Sequence, residues 1–236
     1  MATFGLIHGA WHGGWCWTNV VAALEELGHT AVAVDLPIDQ PTASTVEYAR
    51  VAAEALAAGE PPIVVAHSMA GLVAPLVAET IRVRGLTYLA AVLRLPGRSL
   101  ADDRADHLND DISPPGFGKE LKRDAEGLTW WATAADAARH LYHDASEAEA
   151  AWAFAHLRHQ KGYWTDRSPQ SAWPSVPAVS IVCAEDRAVT PEWSRRVARD
   201  WLGVTPIEFP GGHSPHLTRP HELAVLLDRL AQSVFA

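Results

Sequence analysis

Short apolar runs alternate with helix-patterned segments along most of the 236-residue chain. Each run predicts a buried strand, and apolar residues spaced three and four apart predict an amphipathic helix between two strands. This order is typical of a mainly parallel sheet with crossover helices on its faces. The pattern therefore predicts an α/β fold. The six expected strands lie in TFGLIHG, TAVAVDLP, PIVVAHS, LTYLAAVL, AVSIVCAED and TPIEFPGGH.

The alternation breaks down between the fourth and fifth expected strands. Residues 102–173 are polar and helix-prone, without strand signals, and Ser146 with Glu149 can cap one of the helices. We interpret this stretch as a helical cap inserted into one α/β core, which then consists of residues 1–101 and 174–236. The chain length and its apolar content of 48% agree with a single core of that size.

Composition narrows the choice of partners and compartment. The formal charge of -9 argues against nucleic acid and anionic membranes, because both require a basic surface. Cys16 and Cys183 are the only cysteines, so no disulfide framework is indicated. The N-terminal stretch does not resemble a signal peptide, and no apolar run is long enough to span a membrane. We expect a cytoplasmic protein that binds a small molecule without a cofactor, and a homodimer is compatible with the sequence.

Three expected strand ends carry chemically reactive side chains: Ser68, Asp186 and His213. The carboxyl ends of parallel strands meet at one edge of a sheet, where ligand sites of open sheets lie. The order serine, acid, histidine is also the chain order of one class of serine hydrolase triad. In such a triad the histidine takes the serine proton and the acid orients the histidine. The sequence therefore predicts a Ser-His-Asp triad.

Ser68 lies in VVAHSMAG, which is close to the motif G-x-S-x-G except that Ala66 and Ala70 replace the glycines. That motif is a sharp strand-to-helix turn, and the residues two before and two after the serine must be small. Alanine meets this requirement, and Gly71 adds room for the helix to pack. The alternative is that Ser68 only caps the helix.

The acid and the histidine each have a competitor nearby. Asp186 is favoured over Glu185 because it lies further beyond the strand, although a solvated loop acid is the common fate of an aspartate. His213 is favoured over His216 because two glycines precede it and allow a tight loop over the serine. An imidazole with an ordinary pKa near neutrality can accept and return the serine proton.

Two backbone amides are candidates for an oxyanion hole. The Met69 amide follows the expected nucleophile, and the Ala10 amide lies in HGAWHGG after the first strand. His8 and His12 in the same segment could be interpreted as metal ligands. No third ligand stands at a suitable spacing, so we predict no metal.

Aromatic residues supply the candidates for a substrate pocket. Gly9 allows the backbone to approach a substrate, and Trp11 stands beside the expected oxyanion donor. From the cap we predict that Trp131 contacts the substrate, while most cap aromatics pack the cap onto the core. The aromatic residues of the cap include Trp130, Trp131, Tyr142, Trp152, Phe154, Tyr163 and Trp164.

The segments LIHGAWHGGWCW, VVAHSMAG, CAEDRAVTP and GGHSPHL together resemble the small α/β-hydrolases of the plant methylesterase and hydroxynitrile lyase group and their bacterial esterase relatives. The resemblance covers nearly the whole chain and is weakest across the cap. It implies a six-stranded parallel sheet, the triad and the oxyanion donors named above. The lyases typically carry a threonine and a lysine where this chain has Gly9 and Ser214, which favours the esterase branch.

The sequence thus predicts a serine hydrolase that cleaves a small, largely apolar carboxylic ester through an acyl-enzyme. One alternative is a non-hydrolytic enzyme on the same fold: a carbon–carbon lyase, a cyclase or a cofactor-independent oxygenase. In that case Ser68 would be a proton relay or a spectator. The other alternative is a ligand receptor that retains a triad with little turnover.

Overall fold

The six expected strands form one parallel sheet in a computed structural model, which describes residues 1–236. The strands are numbered in chain order. Two short strands, β5 (Leu121–Arg123) and β6 (Thr129–Trp131), lie outside this sheet. The sheet itself consists of β1 (Thr3–Ile7), β2 (Thr30–Val34), β3 (Ile63–His67), β4 (Gly85–Leu89), β7 (Ala178–Cys183) and β8 (Ile207–Phe209). The sheet has the order β2-β1-β3-β4-β7-β8, and every neighbouring pair is parallel. The predicted α/β architecture is confirmed.

The chain contains nine α-helices: α1 (Thr18–Glu26), α2 (Thr45–Leu56), α3 (Ala74–Thr80), α4 (Leu100–Ala105), α5 (Ala134–Leu141), α6 (Glu147–Ala155), α7 (Pro191–Asp200), α8 (Pro215–Thr218) and α9 (Pro220–Ser233). Apolar residues of α1 and α9 pack on one face, and those of α2, α3 and α7 pack on the other. Within β3, Val64 faces one core and Val65 faces the other, as the two-residue period of a strand requires. None of the helices combines the length and the apolar composition of a membrane-spanning helix.

The inserted segment, residues 90–177 between β4 and β7, contains α4, α5 and α6. The predicted capping box before α6 is present, with reciprocal hydrogen bonds between Ser146 and Glu149. The expectation of a segment without strands is wrong, because β5 and β6 form an antiparallel hairpin. These strands have only three residues each, and Thr129 also pairs with the distant Gln160. Tertiary contacts rather than local periodicity therefore determine the hairpin.

Candidate active site

Ser68 follows β3 directly and begins a short 3₁₀ turn, Ser68–Leu72, ahead of α3. Its φ of 54° lies in the left-handed region, which costs a non-glycine residue about 1–3 kcal/mol. The Ser68 carbonyl accepts a hydrogen bond of 2.8 Å from the Val92 amide, which helps to hold this conformation. A sharp turn of this kind lifts the hydroxyl out of the strand and toward the edge of the sheet.

The close backbone approaches around Ser68 occur at Gly9 and Gly71. A Cβ on Gly71 would lie 2.4 Å from the Val92 carbonyl oxygen, and a Cβ on Gly9 would lie 2.8 Å from Ser68 Cβ. Ala66 and Ala70, in contrast, are fully buried with their methyl groups in the core. The space around the turn therefore accepts alanine at the two motif positions and requires glycine at these two others.

Ser68, His213 and Asp186 form one hydrogen-bonded chain. The Ser68 hydroxyl oxygen lies 3.0 Å from His213 Nε2, and His213 Nδ1 lies 2.8 Å from Asp186 Oδ2. Because a carboxylate only accepts, Nδ1 carries the hydrogen and the Nε2 lone pair faces the hydroxyl. The other Asp186 oxygen accepts from the amides of Ala188 and Val189 at 2.7 and 3.0 Å, so the carboxylate is held in place.

Glu185 and His216, the alternatives to Asp186 and His213, lie outside this hydrogen-bonded chain. Glu185 is exposed to solvent, whereas Asp186 is buried against His213. The His216 ring is buried between Trp17 and His67, with ring centroids 4.8 and 4.4 Å away, and neither of its nitrogens has a hydrogen-bond partner. His216 therefore packs behind the chain formed by Ser68, His213 and Asp186.

The two expected oxyanion donors have no acceptor of their own. The Ala10 N–H makes no hydrogen bond within the protein, although the residue is buried. Met69 is the second residue of the 3₁₀ turn, a position whose N–H has no acceptor within the turn. Both amides belong to segments that follow strand ends beside Ser68. Two unused N–H groups next to a hydroxyl are what an oxyanion hole requires.

His8 fixes the peptide that carries the Ala10 N–H. Its Nδ1 lies 2.8 Å from the Gly9 carbonyl, and its Nε2 accepts from the Leu36 amide at 3.0 Å. Burial lowers the pKa of His8 to about 4, so the ring is neutral and donates only through Nδ1. Since a peptide group is planar, holding the Gly9 carbonyl also directs the Ala10 N–H on the opposite side.

A cavity of about 240 Å³ opens beside Ser68 and His213. Trp11 lines it, as expected, but Trp131 does not. Trp131 is buried behind Trp11, packed edge to face with ring centroids 5.3 Å apart. Trp131 therefore lies outside the lining of this cavity, contrary to the prediction that it contacts the substrate. The apolar side chains of the cavity wall are Trp11, Val92, Leu100, Ile112, Phe117, Leu121, Leu141, Tyr163, Trp164, Ala188 and Val189.

Several residues around the site had no role predicted from the sequence. His67 Nε2 donates to the His213 carbonyl at 2.8 Å, and Arg158 and Gln160 contact the backbone of Trp11. Only His67 had a local signal, since it precedes Ser68 directly. The buried histidines around the site do not form a metal centre, because no three potential ligands are placed to hold an ion.

A parallel sheet with serine, acid and histidine brought together at its strand ends defines a hydrolase class. The chain belongs to the alpha/beta hydrolase family, whose model matches residues 6–226. It is similar to Methylesterase 7 of Arabidopsis thaliana, with 26% identity over 97% of this chain and 95% of that protein. It is also similar to Salicylic acid-binding protein 2 of Nicotiana tabacum, with 28% identity over 97% of this chain and 96% of that protein.

The fold is likewise shared with a solved esterase structure. The crystal structure of polyneuridine aldehyde esterase superposes with a TM-score of 0.83 at 20% identity, covering 98% of this chain and 99% of that chain. The resemblance to plant methylesterases that the four sequence motifs indicate is confirmed. Family and relatives together place the chain among the carboxylic ester hydrolases.

Proposed function

We propose that the protein cleaves a small, largely apolar carboxylic ester through an acyl-enzyme formed on Ser68. The observation that carries this proposal is the strained Ser68 with its hydroxyl oxygen 3.0 Å from His213 Nε2. A free hydroxyl is a poor nucleophile, and a positioned base removes its proton as it attacks. Asp186 holds the hydrogen on the far nitrogen of His213 and stabilises the imidazolium that forms.

The reaction proceeds in two halves. Ser68 Oγ attacks the ester carbonyl carbon while its proton passes to His213, and the amides of Ala10 and Met69 donate to the oxyanion. The tetrahedral intermediate then expels the alcohol, which takes the proton from His213. In the second half a water molecule loses a proton to His213 and attacks the acyl carbon. The carboxylic acid leaves, and the proton returns to Ser68.

The cavity supports a small, uncharged substrate. Its volume of about 240 Å³ lies below the usual range of ligand pockets, and 11 of its 20 lining residues are hydrophobic. Its wall contains the cationic side chains Lys161, whose Nζ is paired with Asp166 Oδ1 at 3.2 Å, and Arg123, which is exposed and donates to the Gly127 carbonyl at 3.0 Å. Because Lys161 is paired with an acid and Arg123 is exposed to solvent, neither charge requires an anionic substrate. A methyl or other short ester of an apolar acid fits these walls best.

The test combines a covalent probe with a panel of substrates. A fluorophosphonate probe and a set of methyl and aryl esters are applied to the wild type, to Ser68→Ala and to Ser194→Ala. Ser194 is a buried serine of α7 outside the cavity and serves as the matched control. We expect labelling and turnover in the wild type and the control, and a loss of at least about 10⁴-fold in turnover for Ser68→Ala.

The other outcomes separate the alternative functions. An unlabelled Ser68 together with full ester turnover in Ser68→Ala contradicts the acyl-enzyme. Products of carbon–carbon cleavage would instead identify a lyase. Saturable ligand binding without turnover would identify a receptor, and one relative is named as a salicylic acid-binding protein.

A further inference from the structure

The loop after β1, residues 8–13 (the β1 loop), is held by hydrogen bonds to four successive carbonyls. His8 Nδ1 binds the Gly9 carbonyl. The next three carbonyls accept hydrogen bonds from His12 and Arg158. His12 Nδ1 lies 2.7 Å from the Ala10 carbonyl, the Arg158 amide donates to the Trp11 carbonyl at 2.7 Å, and the Arg158 guanidinium donates to the His12 carbonyl at 3.1 Å.

His12 in turn is bound by Tyr142 of the inserted segment. The Tyr142 hydroxyl lies 2.7 Å from His12 Nε2. A carbonyl can only accept, so His12 Nδ1 carries the hydrogen that faces Ala10. Burial lowers the pKa of His12 to about 3, so the ring is neutral and Nε2 must be the acceptor for the Tyr142 O–H. Tyr142 directly follows α5 and is fully buried. The hydrogen bonds therefore run in one direction, from Tyr142 through His12 to the Ala10 carbonyl.

We infer that Tyr142 and His12 are positioning residues that set the Ala10 N–H for the developing oxyanion. The inference rests on the proposed function. Ala10 joins two planar peptide groups: His8 holds the carbonyl of the first, and the second is held by His12 at its carbonyl and by Gln160 Oε1, which accepts from the Trp11 N–H at 3.4 Å. The hydrogen bond to the Gly9 carbonyl alone would let the first peptide rotate about that bond. Holding the second peptide as well prevents this rotation.

Because the backbone beside Ala10 is strained, the hydrogen bond from His12 to the Ala10 carbonyl is needed in addition to the one from His8. Trp11 has a φ of 63°, a left-handed conformation that is costly for a bulky residue. Without the Tyr142 hydroxyl, His12 Nε2 has no donor, and the ring is no longer held in the position from which its Nδ1–H reaches the Ala10 carbonyl. The β1 loop can relax toward an unstrained conformation, which turns the Ala10 N–H away from the oxyanion. Transition-state stabilisation in the core therefore depends on a hydroxyl of the inserted segment.

A double-mutant cycle tests this coupling. Tyr142→Phe is expected to lower kcat about tenfold with little change in KM, a part of the 10²–10³-fold that loss of an oxyanion donor costs. In the background His12→Asn, whose amide nitrogen replaces Nδ1 and does not need Tyr142, the same change should alter kcat less than about twofold. Tyr88→Phe removes a buried hydroxyl of β4 as the matched control. Equal effects of Tyr142→Phe in both backgrounds would overturn the inference.

Two further readouts separate folding and catalysis. Nitrogen-15 NMR of His12 should show the Nδ1–H tautomer in the wild type, and an Nε2–H tautomer there would refute the proposed direction. If circular dichroism shows that Tyr142→Phe does not fold, a comparison of His12→Gln with His12→Asn tests the inference in its place. In His12→Gln the amide replaces Nε2 and cannot reach Ala10, so His12→Asn should recover most of the activity that His12→Gln loses, and equal activities refute the inference.

Different results would contradict the proposed function and the positioning role of Tyr142 and His12. A wild type that neither reacts with the fluorophosphonate nor cleaves any ester contradicts the proposed function, whatever the NMR spectra show. A wild type that is labelled, with Tyr142→Phe labelled at the same rate, contradicts only the positioning role.

Discussion

Four histidines lie buried around the candidate active site, and we expect them to make the protein unstable in mild acid. Burial lowers the pKa of His8 to about 4 and of His12 to about 3, and it lowers the pKa of His67 and His216 well below the usual range. In the unfolded chain each would titrate near pH 6.5. Between these values the unfolded state binds protons that the folded state does not, so stability falls as pH falls.

The size of the effect follows from the same pKa values. Each histidine that is protonated only in the unfolded state costs about 1.4 kcal/mol per pH unit. At pH 5 the solution is about 1.5 units below the unfolded pKa, so one such group costs about 2 kcal/mol and four cost about 8 kcal/mol. A whole domain is stable by only about 5–15 kcal/mol. The folded state should therefore be marginal near pH 5.

Urea unfolding at pH 7 and pH 5 measures this loss directly. His216→Gln removes one titrating ring whose nitrogens have no partner, so the variant should lose about 2 kcal/mol less than the wild type between the two pH values. Comparing the two losses cancels the packing cost of the substitution and the contribution of the carboxylates. His221→Gln, at an exposed position, is the matched control and should behave as the wild type does. Equal losses in His216→Gln and the wild type would refute the reasoning.

Two further substitutions test the geometry around Ser68. In Asp186→Asn the amides of Ala188 and Val189 donate to the side-chain oxygen, so the NH₂ group faces His213 Nδ1. Because the NH₂ group can only donate, the ring carries its hydrogen on Nε2 and cannot accept the serine proton. We expect kcat to fall about 10⁴-fold in a folded protein, and a fall below tenfold in a steady-state ester assay would contradict this role. Gly71→Ala places a Cβ 2.4 Å from the Val92 carbonyl oxygen and should cost about 1–3 kcal/mol or more in urea unfolding. Gly14→Ala, whose Cβ would approach other atoms no closer than 3.5 Å, should cost clearly less.

Local patterns account for the part of the protein that could be predicted. Strand and helix periodicities determine the six-stranded core, because each element must bury one side or both against its neighbours. Small residues around Ser68 indicate the sharp turn, since only a small side chain fits there. The placement of Ser68, Asp186 and His213 near one another follows from topology, because the carboxyl ends of parallel strands meet at one edge.

The inserted segment depends on contacts that no local pattern encodes. Gln160 pairs with Thr129 of its hairpin, and Trp131 packs against Trp11 of the first loop instead of lining the cavity. Tyr142 and His12 are 130 residues apart in the sequence, yet they share one hydrogen bond. A sequence determines which residues can donate or accept. Only the tertiary structure decides which of them meet, because a buried polar group must find its partner wherever the packed chain brings one within reach.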